Sequence, residues 1–164
     1  MTQRTTGLVV GVILGSVLGF FLGLGTYPEL FPALVGGSRS APAADGPVVA
    51  EGTFVHANPQ DPLHYGAGPV TLAPGLVQLG AGFEVGPGPG YHLYLVPLAE
   101  IGPDTRVDET LFIDLGPLQG FAGAQAYALP TGLDLADYPS VVVWSTHFNV
   151  LISAAALHQV QTGP

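Results

Sequence analysis

The chain has no cysteine. Disulfides, thiolate nucleophiles, iron–sulfur clusters and cysteine-ligated zinc are therefore excluded together. Lysine is missing as well, and the only basic side chains besides histidine are Arg4, Arg39 and Arg106. From residue 46 onward ten acidic residues stand against Arg106 alone, a net charge of 1 − 10 = −9 with histidines neutral. A surface so short of cations repels polyanions, which argues against nucleic-acid binding. Neither a Walker loop nor a dinucleotide-binding glycine pattern follows a strand-like run, and Gly86-Pro-Gly-Pro-Gly90 is locked by its prolines into a turn. No long amphipathic helical pattern occurs in this part of the chain.

What is present is unevenly placed. From Gly7 to Gly25 there is no charged residue and a single serine, Ser16. Nineteen helical residues at about 1.5 Å each span about 28 Å, close to the ~30 Å hydrocarbon core of a bilayer. A cleaved signal peptide is the competing reading, but its apolar core is usually about 7 to 15 residues and ends in a small-residue cleavage site, which Leu24-Gly-Thr-Tyr-Pro-Glu29 does not offer. The expectation is a tail at residues 1–6, a transmembrane helix at 7–25, a Pro/Gly/Ala/Ser-rich linker at 26–50 and a folded domain at 51–160. Within the span Gly7, Gly11, Gly15, Gly19 and Gly23 recur every four residues. Such a stripe lets another helix approach closely, so a homodimer or another membrane protein is an expected partner.

After the linker, short alternating apolar runs separated by Gly, Pro and Asp dominate. The candidate strands are Gly52–His56, Pro69–Leu72, Leu76–Phe83, Tyr91–Val96, Leu111–Leu115, Gln125–Ala128, Ser140–Thr146 and Val150–Leu157. About eight short strands with turns between them predict an all-β fold, an antiparallel β-sandwich or barrel. The alanines of residues 151–160 leave a helix open as an alternative there. Asp114 and Asp134, each beside a turn, are expected to accept from local backbone amides. Without a dense acidic loop, calcium is only a minor option.

Several motifs then occur in a fixed order: Gly52-x-Phe54, His64-x-x-x-Gly68, Gly88-Pro-Gly-Tyr-His92-Leu-Tyr94-Leu95, Asp114-Leu-Gly116-x-Leu118, Gly123-x-Gln125-x-Tyr127-x-Leu129-Pro130, Asp134, Tyr138, and Val141-Val-Val-Trp144 followed by Phe148. Together they resemble the DM-thirteen domain, an extracytoplasmic module associated with electron transfer. The resemblance implies a β-domain on the outer side of the cell membrane behind a single-pass signal anchor, with a redox position directly after the tryptophan. In the family that position holds a cysteine; here it is Ser145, whose hydroxyl has no accessible redox couple. The expected function is thus a non-enzymatic binding or redox-accessory module of the cell envelope.

Two other chemistries remain open. His64, His92 and His147 could converge to bind copper or zinc, or two of them could ligate haem iron; with copper or haem the result is an electron carrier without a thiol. None of them shows short metal-ligand spacing, so no metal site is assigned. A serine hydrolase would need a base within about 2.6 to 3.2 Å of Ser145. His147, two residues along the same expected strand, lies roughly 6.5 to 7 Å away, so His64 or His92 would have to fold onto the serine. Trp144 and Phe148 are expected on one strand face with Ser145 and His147 on the other. Trp144, Tyr94, Phe54, Phe148 and Tyr127 are expected to pack in the core. The candidate pocket comprises His64, His92, Tyr94, Trp144, His147 and Phe148 around Ser145.

Overall fold

The computed structural model describes residues 46–160 other than Pro59 and Leu63, together with residues 11, 12, 14–16 and 19. Nine strands form one antiparallel sheet: β1 (Ala50–His56), β2 (Gly66–Ala73), β3 (Leu76–Leu79), β4 (Glu84–Val85), β5 (Tyr91–Val96), β6 (Ile113–Pro117), β7 (Gln125–Ala128), β8 (Ser140–Ser145) and β9 (Val150–Gln159). Their order is β6-β5-β8-β9-β1-β2-β3-β7, with β4 paired to β2. The two edges are bridged by the segment after β6. Leu118 N–H donates to the Tyr91 carbonyl on β5 (2.8 Å), and the Gln119 side chain donates to the Ala126 carbonyl on β7 (2.7 Å). The result is a nearly closed barrel, as the alternation predicts.

Inside it lies the main core, in which Phe54, Val70, Leu72, Val77, Leu79, Phe83, Leu93, Leu95, Val141, Val143, Ile152 and Ala155 are buried. Strand alternation sends the other parity of β5, β8 and β9 outward. There Tyr94, Val96, Val142, Trp144, Leu151 and Ala154 form a second core under the loop that carries Leu98, Ile101, Val107 and Phe112. Strand β8 is consequently buried at every position. This is why its sequence is a continuous apolar run rather than an alternation.

Tyr91–Val96 and Gln125–Ala128 are strands with the expected limits, Val150–Leu157 is a strand as expected, and elsewhere the structure shifts or breaks the expected runs. The run Leu76–Phe83 breaks after Leu79, because Phe83 N–H turns back to the Gly80 carbonyl (3.0 Å) and Gly80 N–H to the Pro69 carbonyl (2.9 Å). The helical alternative for residues 151–160 fails: β9 is hydrogen-bonded to β8 on one side and β1 on the other, and its alanines suit close packing on both faces. One extra residue, Ile152, bulges between Leu151 and Ser153 opposite Trp144 and Val143. Finally, β8 stops at Ser145 and not beyond. Val150 pairs with Ser145, leaving Thr146–Asn149 as a four-residue turn whose last residue is left-handed (φ 55°). Asparagine is one of the few residues other than glycine that adopts this conformation routinely.

Most of the expected transmembrane helix at 7–25 and of the linker lies outside the described residues, as do Gly7 and Gly23 of the glycine stripe. Gly11, Gly15 and Gly19 are described and helical. Among the described residues no helix is long and apolar enough to cross a membrane.

One glycine is fixed by close packing as well as by conformation. Gly68 has φ +114°, and a methyl group there would lie 2.4 Å from Phe83 Cα and 2.6 Å from the Gly82 carbonyl. Gly68→Ala is expected to destabilise the domain by about 2–4 kcal/mol, combining backbone strain with a clash against main chain. A guanidinium unfolding midpoint unchanged from wild type would contradict this packing.

Candidate functional site

Ser145 continues the inward parity of Val141 and Val143, and it is fully buried. Its hydroxyl donates to the Pro89 carbonyl (3.1 Å) and accepts weakly from Phe148 N–H (3.4 Å). It therefore ties the end of the Gly86–Gly90 loop to the turn after β8. The same two segments are joined again by Thr146, whose N–H and hydroxyl both donate to the Gly90 carbonyl (2.8 and 2.9 Å). Gly90, at φ +63°, lies so close that a methyl group there would meet Thr146 Oγ1 at 2.8 Å and His147 Nδ1 at 3.0 Å. No imidazole hydrogen-bonds Ser145 among the described contacts, and its proton points at a carbonyl. That geometry gives no support to serine-hydrolase chemistry.

The candidate pocket divides into two groups. The first stands on the turn. Phe148 is 58% exposed, not in the core with Trp144. His147 is on the same turn rather than on the strand face of Ser145. Both the His147 ring and the His64 ring meet Phe148 edge-on, each with centroids 6.5 Å apart. His64 is oriented by Asp61, which accepts from its Nδ1 (2.6 Å) and from its backbone N–H (3.2 Å). An ionised carboxylate can only accept, so the His64 proton sits on Nδ1. A further brace holds the far side of the turn: Asn149 Nδ2 donates to Asp108 (2.8 Å), while Arg106 donates to both oxygens of the same carboxylate (3.1 and 2.9 Å). Those donors, the Arg106 hydrogen bond first, hold the Asp108 carboxyl down at about 2.

The second group lies on the outer face of β5 and β8. His92 Nδ1 donates to Asp114 (2.9 Å), and its ring meets Tyr94 edge-on at 6.2 Å. Tyr94 in turn stacks on Phe112 at 4.3 Å, and Trp144 is the cross-strand partner of His92. Burial and the neighbouring Asp114 charge raise the Tyr94 phenol above its usual range. Asp114 also accepts from Gly116 N–H (2.8 Å) and Asp134 from Ala136 N–H (3.0 Å), the backbone roles expected of them. The three histidines do not converge. Among the described residues no group of three His, Cys, Asp or Glu side chains is placed to share a metal ion, so the donor set does not fit a three-imidazole copper centre.

Sequence reading missed Tyr91. It pairs across the sheet with Ser145 and is 4% exposed; its hydroxyl is buried with no hydrogen-bond partner among the described groups. A methyl group on Gly88 would fall 2.2 Å from that oxygen, so the glycine of Gly-Pro-Gly makes room for the phenol. Burial first, and the Asp61 charge second, push Tyr91 up to about 12. Tyr127 on β7 is likewise raised to about 12 by burial, although Gln119 N–H donates to its oxygen. Its own hydroxyl donates to Gln125 Oε1 (2.8 Å). The available signal was parity: Tyr91, Leu93 and Leu95 alternate with His92 and Tyr94, which places Tyr91 inside. Elsewhere, an open groove of about 520 Å³ crosses the outer face of β1, β2 and β9, lined by Glu51, Thr53, Val55, Pro69, Thr71 and His158.

Compared with known proteins, a family model described as electron transfer DM13 matches residues 60–157, more than half of the chain. The matched segment includes Ser145, all the histidines and aromatics of both groups, and Tyr91. Neither a curated protein nor a solved structure matches.

Two predictions arise from this geometry. Ser145→Ala leaves the Pro89 carbonyl without its donor and should cost about 1–3 kcal/mol, read as a lower thermal midpoint with the β signal of circular dichroism retained; an unchanged midpoint would show that the latch is not needed. The second concerns alkali. Tyr91 and Tyr127 ionise near 12 in the fold but near 10 when unfolded. Their neutral forms therefore contribute stability that is complete below about pH 10 and is lost as pH rises toward 12, roughly 2–3 kcal/mol for each buried phenol. Spectrophotometric titration of the folded protein should show two of the six tyrosines ionising late, toward about pH 12; ionisation of all six at about pH 10 in a still-folded protein would exclude it.

Proposed function

Since the chain belongs to the family described as electron transfer DM13, we propose that its β-domain is a non-enzymatic accessory of an electron-transfer system in the cell envelope, held on the outer side of the membrane by the apolar segment at residues 7–25. The observation that carries the non-enzymatic part is the state of Ser145. The side chain that stands at the position where the sequence resemblance puts a redox thiol is buried, and its hydrogen-bonding capacity is spent on joining two turns. A serine hydroxyl there keeps the shape of the site and supplies neither an electron couple nor an accessible nucleophile. The absence of cysteine from the whole sequence supports the same reading.

The membrane part rests on the uncharged nineteen-residue run, which has the length of a bilayer core, and on the tether-like composition that follows it. The glycine stripe makes pairing with a second copy, or with another membrane helix, part of the proposal. An electron carrier that uses histidines has one observation in its favour, the meeting of His64 and His147 at Phe148.

The full-length protein, gently extracted from membranes of cells supplied with iron, copper and haem precursors, separates these readings by its ultraviolet–visible spectrum in oxidised and reduced forms. The expected result is a protein-only spectrum in both. A Soret or copper band that disappears on His64→Ala or His92→Ala would replace the accessory role with a cofactor-bearing carrier.

A further inference from the structure

We infer that the end of the barrel built around Phe148 is a docking face for a basic partner protein. Phe148 is a large apolar side chain left 58% exposed, and the turn beneath it is held in place from three directions. Ser145 accepts its backbone N–H, Thr146 is bonded twice to Gly90, and Asn149 is bonded to Asp108. His64 and His147 contact its ring. An aromatic ring held this way loses little conformational freedom on binding, which is the property of an interface anchor.

The charges around it specify the partner. Asp61 stands behind His64, Asp108 beside Asn149, and Glu109 next to Asp108. Arg106, the one lysine-or-arginine side chain of the domain, is already engaged by Asp108 (2.9 Å) and Glu109 (3.3 Å). An aromatic centre with an acidic rim, on a domain of net charge −9, complements a cationic surface with an apolar hollow. Opposite charge would steer the encounter, and a small face of this kind belongs to weak, transient complexes. The inference deepens the accessory role by naming the partner's chemistry.

The test uses the full-length protein in detergent, titrated with cytochrome c and with lysozyme, two basic proteins of which only the first is a redox carrier. Both are expected to bind at low salt and to lose roughly tenfold or more in affinity at high salt. Phe148→Ser, an exposed substitution, should weaken both by roughly fivefold or more, whereas Val55→Ser, at an equally exposed apolar residue on β1, should leave affinity unchanged. Equal binding by wild type and Phe148→Ser, an equal loss in Val55→Ser, or no binding of either basic protein would overturn the docking face. The two readings fail separately, because a cofactor band would remove the non-enzymatic role without moving these affinities.

Discussion

Strand β8 must be covered on both faces, and the rest of the domain is arranged to do so. Val141 and Val143 point into the barrel while Val142 and Trp144 point out of it, yet all four are buried. An antiparallel sheet commonly wets one face; here the Tyr94, Val96, Val142, Trp144 and Ala154 part of the outer face of β5, β8 and β9 is dry because the loop carrying Leu98, Ile101, Val107 and Phe112 packs over it. Ser140 anchors that cover through its bond to the Leu98 carbonyl (2.7 Å), and the Asp108 carboxylate fastens it to the turn that follows β8. The central strand thereby becomes a rigid support whose end, Ser145, is held where two turns meet.

That support explains how a site without a thiol can still be well defined. Ser145 and Tyr91 are cross-strand neighbours, both buried, one bonded to main chain and the other fitted against Gly88. The polar side chains of the site are placed by second partners: half-buried His64 by Asp61 and His92 by Asp114, exposed Asn149 by Asp108. His64, His92 and Asn149 are thus each oriented by a carboxylate, so the acidic residues also position polar side chains of the site.

Much of the fold was legible in the sequence because alternation and turn residues act locally. Tyr91–Val96 and Gln125–Ala128 could be delimited to the residue, and glycine and proline marked the turns. Residues 151–160 carry helix-favouring alanines that left a helix open beside the expected strand, and hydrogen bonding on both sides decides for the strand. The run from Ser140 to Thr146 carries no glycine or proline, and Phe148 follows at the spacing of the Trp144 face; pairing of Ser145 with Val150 ends the strand at Ser145 and turns Phe148 out of the core.

By itself the sequence determined the all-β class, the acidic character, the exclusion of cysteine chemistry and the family resemblance, since each depends on composition or on the order of short motifs. Only the tertiary structure decided which side chains meet. It separated His92, Tyr94 and Trp144 from His64, His147 and Phe148, buried Tyr91 beside Ser145, and gave Ser145 hydrogen bonds that join two turns. The reason is that these contacts join segments far apart in the chain, and strand register, a bulge and a four-residue turn fix them; a shift of one residue would send every side chain to the opposite face.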